Sequence, residues 1–600
     1  MEPTESRFRM WIASLDQGLG QLILRAFIYF CVLAGIFGVY AWTQFRGLRD
    51  PAAMEYSQLA RNLAQGRGFT TQCIRPLDMW YLESAGKKYD VAAFPDIRNA
   101  PAYPGVLACA LALVRPSSGI ELQSLYAPEK FVVVPLGILF SLLTGVFLFL
   151  LATRLFTGRI AVVSVLVFFL TESVMADSIS GTALPMLTML VTAVAYTALV
   201  AIQNRMSGRP TMGWFLPLTA CALLAGVAFL AGYTALVVVP VVLVFIGASL
   251  DRDRWPAILV FLTFFMLLAV PWLIRNQVVS GSFFGSTPYT LLNHTYLYEG
   301  NELDQSLSPE IHNVRIASAM KVKLTRNLLG IYDMNLRTIG GGIIICFFLV
   351  SFFFRFDRQE ADLFRWCVLL GVILMMVVAA LCGGGAERML NIFLPLVIVY
   401  GCALLFFLVE KAEFVEPGWE TFLAGVLVLL TALPTAVRIA AAQPVRPYPP
   451  YSPMIAAYVG ETMGKGEVLA TDIPWATAWY GSRISVLLPQ SIEDFTQLNG
   501  TRAKISGIYI TTETANRPYA DTFLGGPLSS WLPVINRKVP PDFPFKHATA
   551  FPSDGNDQIF LSDKSRWRDA AGKTSGQEQQ KPAVTNEPAV TNAVAPNAGE

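Results

Sequence analysis

The sequence predicts a polytopic α-helical membrane protein that ends in an α/β domain. Three observations carry that expectation. Hydrophobic residues make up 54% of the 600 and charged residues only 15%, against about 25% charge in a soluble domain. Apolar runs long enough to cross a bilayer recur between residues 22 and 440, and mean hydropathy is +0.49. After residue 445 short strand-like and helix-like stretches alternate instead. The balance of 45 Lys+Arg against 43 Asp+Glu leaves a net charge of +2. A nucleic-acid binder would show a basic excess, so that class is excluded.

Spans are expected near 22–42, 129–153, 158–173, 181–203, 213–231, 233–250, 255–274, 338–354, 363–382, 388–410 and 419–439, about eleven in all. Most reach the roughly 17–25 residues that cross hydrocarbon as a helix. The 158–173 run is short, and 213–231 almost touches 233–250. Arginines cluster in alternate loops: Arg154 and Arg159, Arg205 and Arg209, Arg252 and Arg254, Arg355 and Arg358. The loops at 174–180 and around Gly232 have no Lys or Arg. This positive-inside pattern puts residues 1–21 in the cytoplasm of a cell (inner) membrane protein. An odd span count then places everything after about 440 outside, in an extracytoplasmic or periplasmic space. The first span reads as a retained anchor, because no small-residue cleavage site follows its long apolar run.

Two long outer loops are expected, 43–128 and 275–337. Loops of that length without a role are uncommon. In the first, Tyr56, Leu59, Ala60 and Leu63 share one face of a helix, with Gln58 and Arg61 elsewhere. That pattern suits a helix lying flat on the membrane and ending at Gly66 and Gly68. A second short helix follows at 104–114. In the 445–563 domain, strands are expected at 467–471, 484–488 and 505–511, with helices at 451–463, 475–481 and 491–499 between or before them. This suggests a partly parallel sheet. No Gly-rich phosphate loop of the usual form is present. The tail 565–600 is polar, carries the near-repeat 582–586 and 588–592, and reads as disordered.

Of the eight cysteines, Cys31, Cys221, Cys346, Cys367 and Cys402 lie in spans, Cys382 ends one, and Cys73 and Cys109 lie in the first loop. The C-terminal domain has none, so a disulfide framework is not expected. The three histidines, His294, His312 and His547, are scattered and give no metal signature.

Chemistry is expected where outer loops meet span ends, since charges there can be hydrated yet held by rigid helices. Glu55, with Asp50 five residues earlier, can act as a general base on a hydroxyl, or simply favour its own helix dipole. Glu172 and Asp177 follow the third span; they form a functional pair or an ordinary polar turn. Arg275, after Trp272 and before Asn276, is either a phosphate ligand or an interfacial anchor. Arg388, after the glycines 383–385, sits at a span end where positive-inside placement does not put arginines. Its guanidinium suits a phosphate, with pairing to Glu387 or Glu172 as the structural alternative.

These residues, in this order, resemble the GT-C superfamily of membrane glycosyltransferases, in the group around protein O-mannosyltransferases and lipid A aminoarabinose transferases. The likeness covers most of 22–410. It rests on Glu55-Tyr56 running to Ala60-Arg61 and then Gly66-Arg67-Gly68-Phe69, on Pro101-Ala102-Tyr103-Pro104, on Pro271 to Asn276, and on Arg388 to Pro395. The resemblance implies a GT-C catalytic module at 22–440 and transfer of a sugar from a polyprenyl-phosphate donor to a lipid, glycan or protein hydroxyl, with inversion. It assigns the base to Glu55, acceptor orientation to Asp177 or Glu172, and phosphate binding to Arg388 and Arg275. Asn276, Tyr56, Tyr103 and Tyr233 line the substrate site on the same reading. No cofactor is required, and a divalent metal is optional. The chain departs from the pattern in three places. Many relatives have Asp at the position of Glu55, a basic residue at Gly232 and an acid near Thr182-Ala183. The competing classes are a lipid-linked sugar transporter, against which no internal repeat is found, and a non-catalytic glycan-assembly subunit.

Overall fold

The computed structural model describes residues 19–566 except 115–124, 310–312, 333–341, 357, 384–385, 413–417, 442–451, 516–525, 540, 542 and 552–557. The expected N-terminal segment 1–21 and the tail 565–600 therefore lie almost wholly outside the described residues.

Helix α1 (Leu19–Gln44) is followed in the first long loop by α2 (Pro51–Ala64), α3 (Pro76–Ser84) and α4 (Ala102–Leu113). The bundle continues with α5 (Val134–Leu155), α6 (Gly158–Leu170), α7 (Glu172–Ser178), α8 (Leu184–Met206) and α9 (Thr211–Ala231). Next come α10 (Val238–Ser249), α11 (Arg254–Ser280), α12 (Asn313–Gly330), α13 (Ile343–Val350), α14 (Gln359–Cys382), α15 (Leu394–Lys411) and α16 (Trp419–Ala440).

All eleven apolar runs are helical over at least part of their length, but they are not equal. Seven helices are long and apolar enough to cross a membrane: 129–155, α8, α9, α11, α14, α15 and α16. An eighth span is reached if α6 and α7, which meet at 62°, count as one. The runs at 233–250 and 338–354 form shorter helices among the described residues, and α1 passes the apolar test only from Cys31 to Gln44. The expected count of about eleven is thus not reached by length. The physical reason is local: the first turn of the 233 run is 3₁₀, and the 158 run breaks at Thr171, where the backbone is extended. The chain is a polytopic helical membrane protein all the same.

The C-terminal unit holds α17 (Pro453–Thr462), α18 (Pro474–Trp479) and α19 (Ile492–Thr501) around a six-stranded sheet. Its strands are β1 (Cys73–Ile74), β2 (Val468–Thr471), β3 (Ile484–Leu487), β4 (Ile505–Ile510), β5 (His547–Phe551) and β6 (Gln558–Ser562), in the order β1-β3-β2-β4-β6-β5. The first four are parallel; β6 and β5 add antiparallel. Every residue of β2, β3 and β4 is buried, as expected of parallel strands covered on both faces. Strand β1 comes from the first long loop and sets Cys73 opposite Ser485. The sheet is thus shared between two distant parts of the chain.

Helix α2 does not lie with one free face on a membrane. It is wedged between α4 and α18, and its polar side is buried too. Gln58 accepts from the Gln72 amide (3.0 Å). Arg61 donates to the carbonyls of Trp479 (2.9 Å) and Ala478 (2.5 Å) and stacks 5.0 Å from the Trp479 ring. Glu129, at the head of the α5 segment, accepts from Trp479 Nε1 (2.7 Å) and the Leu48 amide (3.2 Å). Bundle, loop and α/β unit are joined at this one tryptophan.

The sheet closes on a charged clasp. Glu467, just before β2, takes Lys564 (2.8 Å) and the buried Arg566, just after β6. Burial alone would raise the Glu467 carboxyl, but bonds from Arg566, Lys564 and the Gly464 amide outweigh it and hold it at about 2, below its ordinary 4.5. A depressed carboxyl stabilises the fold fully above its unfolded value and loses that contribution as pH falls through its folded one. Between pH 4.5 and 2 the protein should therefore lose about 2 kcal/mol. Thermal unfolding followed against pH should show this loss, and Glu467→Gln should remove that part of the pH dependence.

Candidate functional site

The candidate site is built at the end of the bundle that carries the α/β unit. Asp50 is placed by helix initiation. Its backbone is extended (φ −83°, ψ 127°), Pro51 holds the first helical position, and its carboxylate accepts from the Ala52 amide at 2.9 Å. This is the Asp-Pro signature of a helix start. The same carboxylate lies 3.9 Å from Nη1 of Arg388. Burial pushes the Asp50 carboxyl above its ordinary value, against the Ala52 amide and Arg388, which pull it down. A third of the side chain (34%) still reaches solvent.

Asp177 sits in the last turn of α7 and is almost fully buried. It accepts from both Nε (3.0 Å) and Nη2 of Arg388, and from Asn391 Nδ2 at 2.8 Å. Arg388 and Asn391 belong to a 3₁₀ turn, Ala386–Ile392, that leads into α15. Residues three apart eclipse in a 3₁₀ turn, so both side chains face the same acid. The end of α7 is brought in by Gly137 of α5, where a Cβ would collide with the Ser178 carbonyl. Gly181, at φ +76°, lies where a Cβ would press on Leu48 and Ala53, next to α2. Arg388 therefore stands between an acid of the first long loop and an acid of α7, and 40% of its side chain is exposed.

The other expected residues have different company. Glu172 pairs with Arg438 of α16 (3.0 Å) and accepts from Tyr40 of α1 (3.2 Å). Glu55 lies one turn beyond Asp50 on α2 and does not reach Arg388. Only 6% exposed, it is paired with Arg75. Arg75 in turn faces Asp304 (3.7 Å), which Arg98 grips through both oxygens (2.8 and 3.0 Å). Arg98 also faces Asp78 (3.4 Å), which accepts from Ser286 Oγ (2.5 Å). This chain of charges ties α2 to both long loops. Burial alone would raise Asp304, but the Arg98 and Arg75 charges hold it below the ordinary value.

Arg275 donates to the Asp96 carbonyl (2.7 Å) and packs over Trp272 and Phe69. Asn276, 1% exposed, donates to Tyr233 Oη (3.3 Å) and the Phe283 carbonyl (3.0 Å), and Tyr233 also accepts from Trp272 Nε1 (2.8 Å). Tyr103 donates to the Gly181 carbonyl (2.9 Å) and meets Tyr56 edge-on. These contacts brace the walls around α2: Arg275, Asn276 and Tyr233 form one group and Tyr56 and Tyr103 another, while Asp177 is the one expected acid paired with Arg388 among the described residues. Sequence reasoning missed Asn391, Arg438, Arg75, Arg98 and Asp304, which carry no local signal; Asp50 was signalled by the proline after it. Among the described residues no group of three or more His, Cys, Asp or Glu could hold a metal ion.

Residues 123–274 match the family model of dolichyl-phosphate-mannose-protein mannosyltransferases. No curated protein sequence matches the chain significantly. Among solved structures, the Archaeoglobus fulgidus oligosaccharyltransferase complexed with Zn and sulfate is similar at 12% identity and a TM-score of 0.53, over 82% of this chain and 69% of that one. The same organism's AglB, with an inhibitory peptide and a dolichol-phosphate, gives 12% and 0.51 over 81% and 69%. ArnT from Cupriavidus metallidurans, bound to undecaprenyl phosphate, gives 12% and 0.52 over 91% and 98%. The chain shares its fold with these oligosaccharyltransferase and ArnT structures.

Proposed function

We propose that the chain is a glycosyltransferase that moves a sugar from a polyprenyl-phosphate donor to a hydroxyl acceptor, with inversion. The transfer takes place at the membrane face that carries the α/β unit, the extracytoplasmic face on the arginine pattern. The observation that supports this most directly is the meeting of Asp50 and Asp177 at the part-exposed Arg388. Arg388 takes the donor phosphate, with Asp177 and Asn391 fixing its orientation. Asp50 takes the acceptor proton in place of Glu55, which is committed to Arg75. The acceptor oxygen attacks the anomeric carbon as the bond to the phosphate oxygen breaks. A phosphate with a second pKa of about 6 leaves with little protonation, so an arginine can stand in for a general acid. Glu172, Arg275, Asn276, Tyr56, Tyr103 and Tyr233 act as positioning residues.

The test is donor consumption by the purified protein in lipid nanodiscs, offered a panel of radiolabelled polyprenyl-phosphate hexoses. At least one donor should be consumed. Arg388→Ala should weaken polyprenyl-phosphate binding about 10- to 100-fold, the worth of a lost charge-assisted hydrogen bond. No consumption by the wild type, or unchanged lipid binding in the variant, would refute the proposal.

A further inference from the structure

A cavity of about 320 Å³ lies away from the Arg388 cluster, between the second long loop and the α/β unit. Tyr298, Glu302, Ser306, Arg315, Ile316 and Gln490 line it, and the lining is more polar than apolar. Its walls are built from both sides. Gln490, just after β3, donates from Nε2 to the Glu302 carbonyl (2.6 Å), which locks the unit to the loop. Glu302 itself accepts from the Glu299 amide (3.1 Å). Beneath it, Leu303 packs fully buried with Leu77 and Leu292. Asp304, two residues on from Glu302, is the hub of the buried ion pairs that run through Arg75 to Glu55 on α2. The cavity is therefore anchored to the helix whose N-cap, Asp50, lies beside Arg388.

The lining narrows the ligand. One carboxylate and one guanidinium balance each other, which suits a neutral molecule. An amide, a hydroxyl and a carboxylate at fixed positions supply paired donors and acceptors, and Tyr298 supplies a ring face. The volume is at the small end of ligand pockets. A bound peptide would be held by an exposed strand edge or an apolar groove, and this cavity is lined by neither. We infer that it is a saccharide subsite, taking a sugar unit of a glycan acceptor. Calling its occupant the acceptor rests on the transferase reading above; its affinity for sugar does not.

The test uses the full chain in nanodiscs with mannotriose and maltotriose as probes, read by saturation-transfer NMR. The wild type should bind at least one. Gln490→Ala, Glu302→Gln and Arg315→Met should each weaken binding about tenfold or more. Polyprenyl-phosphate affinity should stay unchanged in all three, and the unfolding temperature in Glu302→Gln and Arg315→Met, which leave the Gln490 bond to the Glu302 carbonyl in place, so that a folding defect is separated from a lost subsite. Failure of the wild type to bind either trisaccharide overturns the inference, as does variant binding equal to wild type. So does capture of a Ser/Thr-containing peptide with neither sugar. If trisaccharide binding depends on these residues while no donor is ever consumed, the subsite stands and the transferase reading falls.

Discussion

Asp50→Asn is expected to lower the rate of sugar transfer about 10²–10⁴-fold, the usual cost of losing a general base, while leaving polyprenyl-phosphate binding intact. The substitution is chosen because asparagine caps a helix as well as aspartate does, so α2 should still start at Pro51. Lipid binding should survive because Arg388 keeps its two contacts with Asp177. The pH profile gives a second readout. Burial holds the Asp50 carboxyl above its ordinary value, so the wild-type rate should fall as pH drops through that raised value, and the residual rate of the variant should not follow it. Glu55→Gln is the discriminating partner. It removes a charge from a buried ion pair, so its main effect should be on stability. If transfer is lost in Glu55→Gln at an unchanged unfolding temperature, and retained in Asp50→Asn, the base is Glu55 and Asp50 is only a cap.

Arg75→Met is expected to cost the most stability, about 3–5 kcal/mol, because breaking a buried pair leaves an uncompensated charge. Arg75 is 12% exposed and serves Glu55 on one side and Asp304 on the other. Methionine keeps much of the side-chain length while removing the charge, so the loss measures charge pairing more than packing. The thermal unfolding midpoint should drop sharply, and adding Glu55→Gln should recover part of the loss, since the two residues act as one unit. A variant that unfolds at the wild-type temperature would show that this chain of charges is not holding the two loops to α2.

How much of this was legible in the sequence varies with the range of the interaction. The apolar runs were legible because a helix in lipid satisfies its own backbone and needs only apolar length. The break at Thr171 was not: it ends the expected 158–173 run at α6, and α7, formed largely where a loop was expected, delivers Asp177 to its place. Strands β2, β3 and β4 lie within two residues of where short apolar runs put them. Strand β1 is two residues long, and nothing local marks Cys73-Ile74 as the edge strand beside Ser485-Val486, more than 400 positions later. The helical face drawn through Tyr56 and Leu59 was sound as periodicity. Its proposed surroundings were wrong, because α18 covers the side on which Gln58 and Arg61 lie.

The same division runs through the site. Arg388 was conspicuous because an arginine at that span end defies the charge pattern, and Asp177 because it shares the outward turn after the third span with Glu172, an acid that is costly at a membrane boundary. Which acid Arg388 would meet from the first loop depended on the rotation of α2, and five residues of helix turn Asp50 and Glu55 toward different partners. The sequence alone determined a helical membrane protein with acids and an arginine at one set of span ends, since burial cost and hydrogen-bond satisfaction are local properties of each segment. Only the tertiary structure decided that Arg75 claims Glu55 and leaves Asp50 beside Arg388, because pairing between charges falls off over a few ångströms and is settled by packing between distant segments.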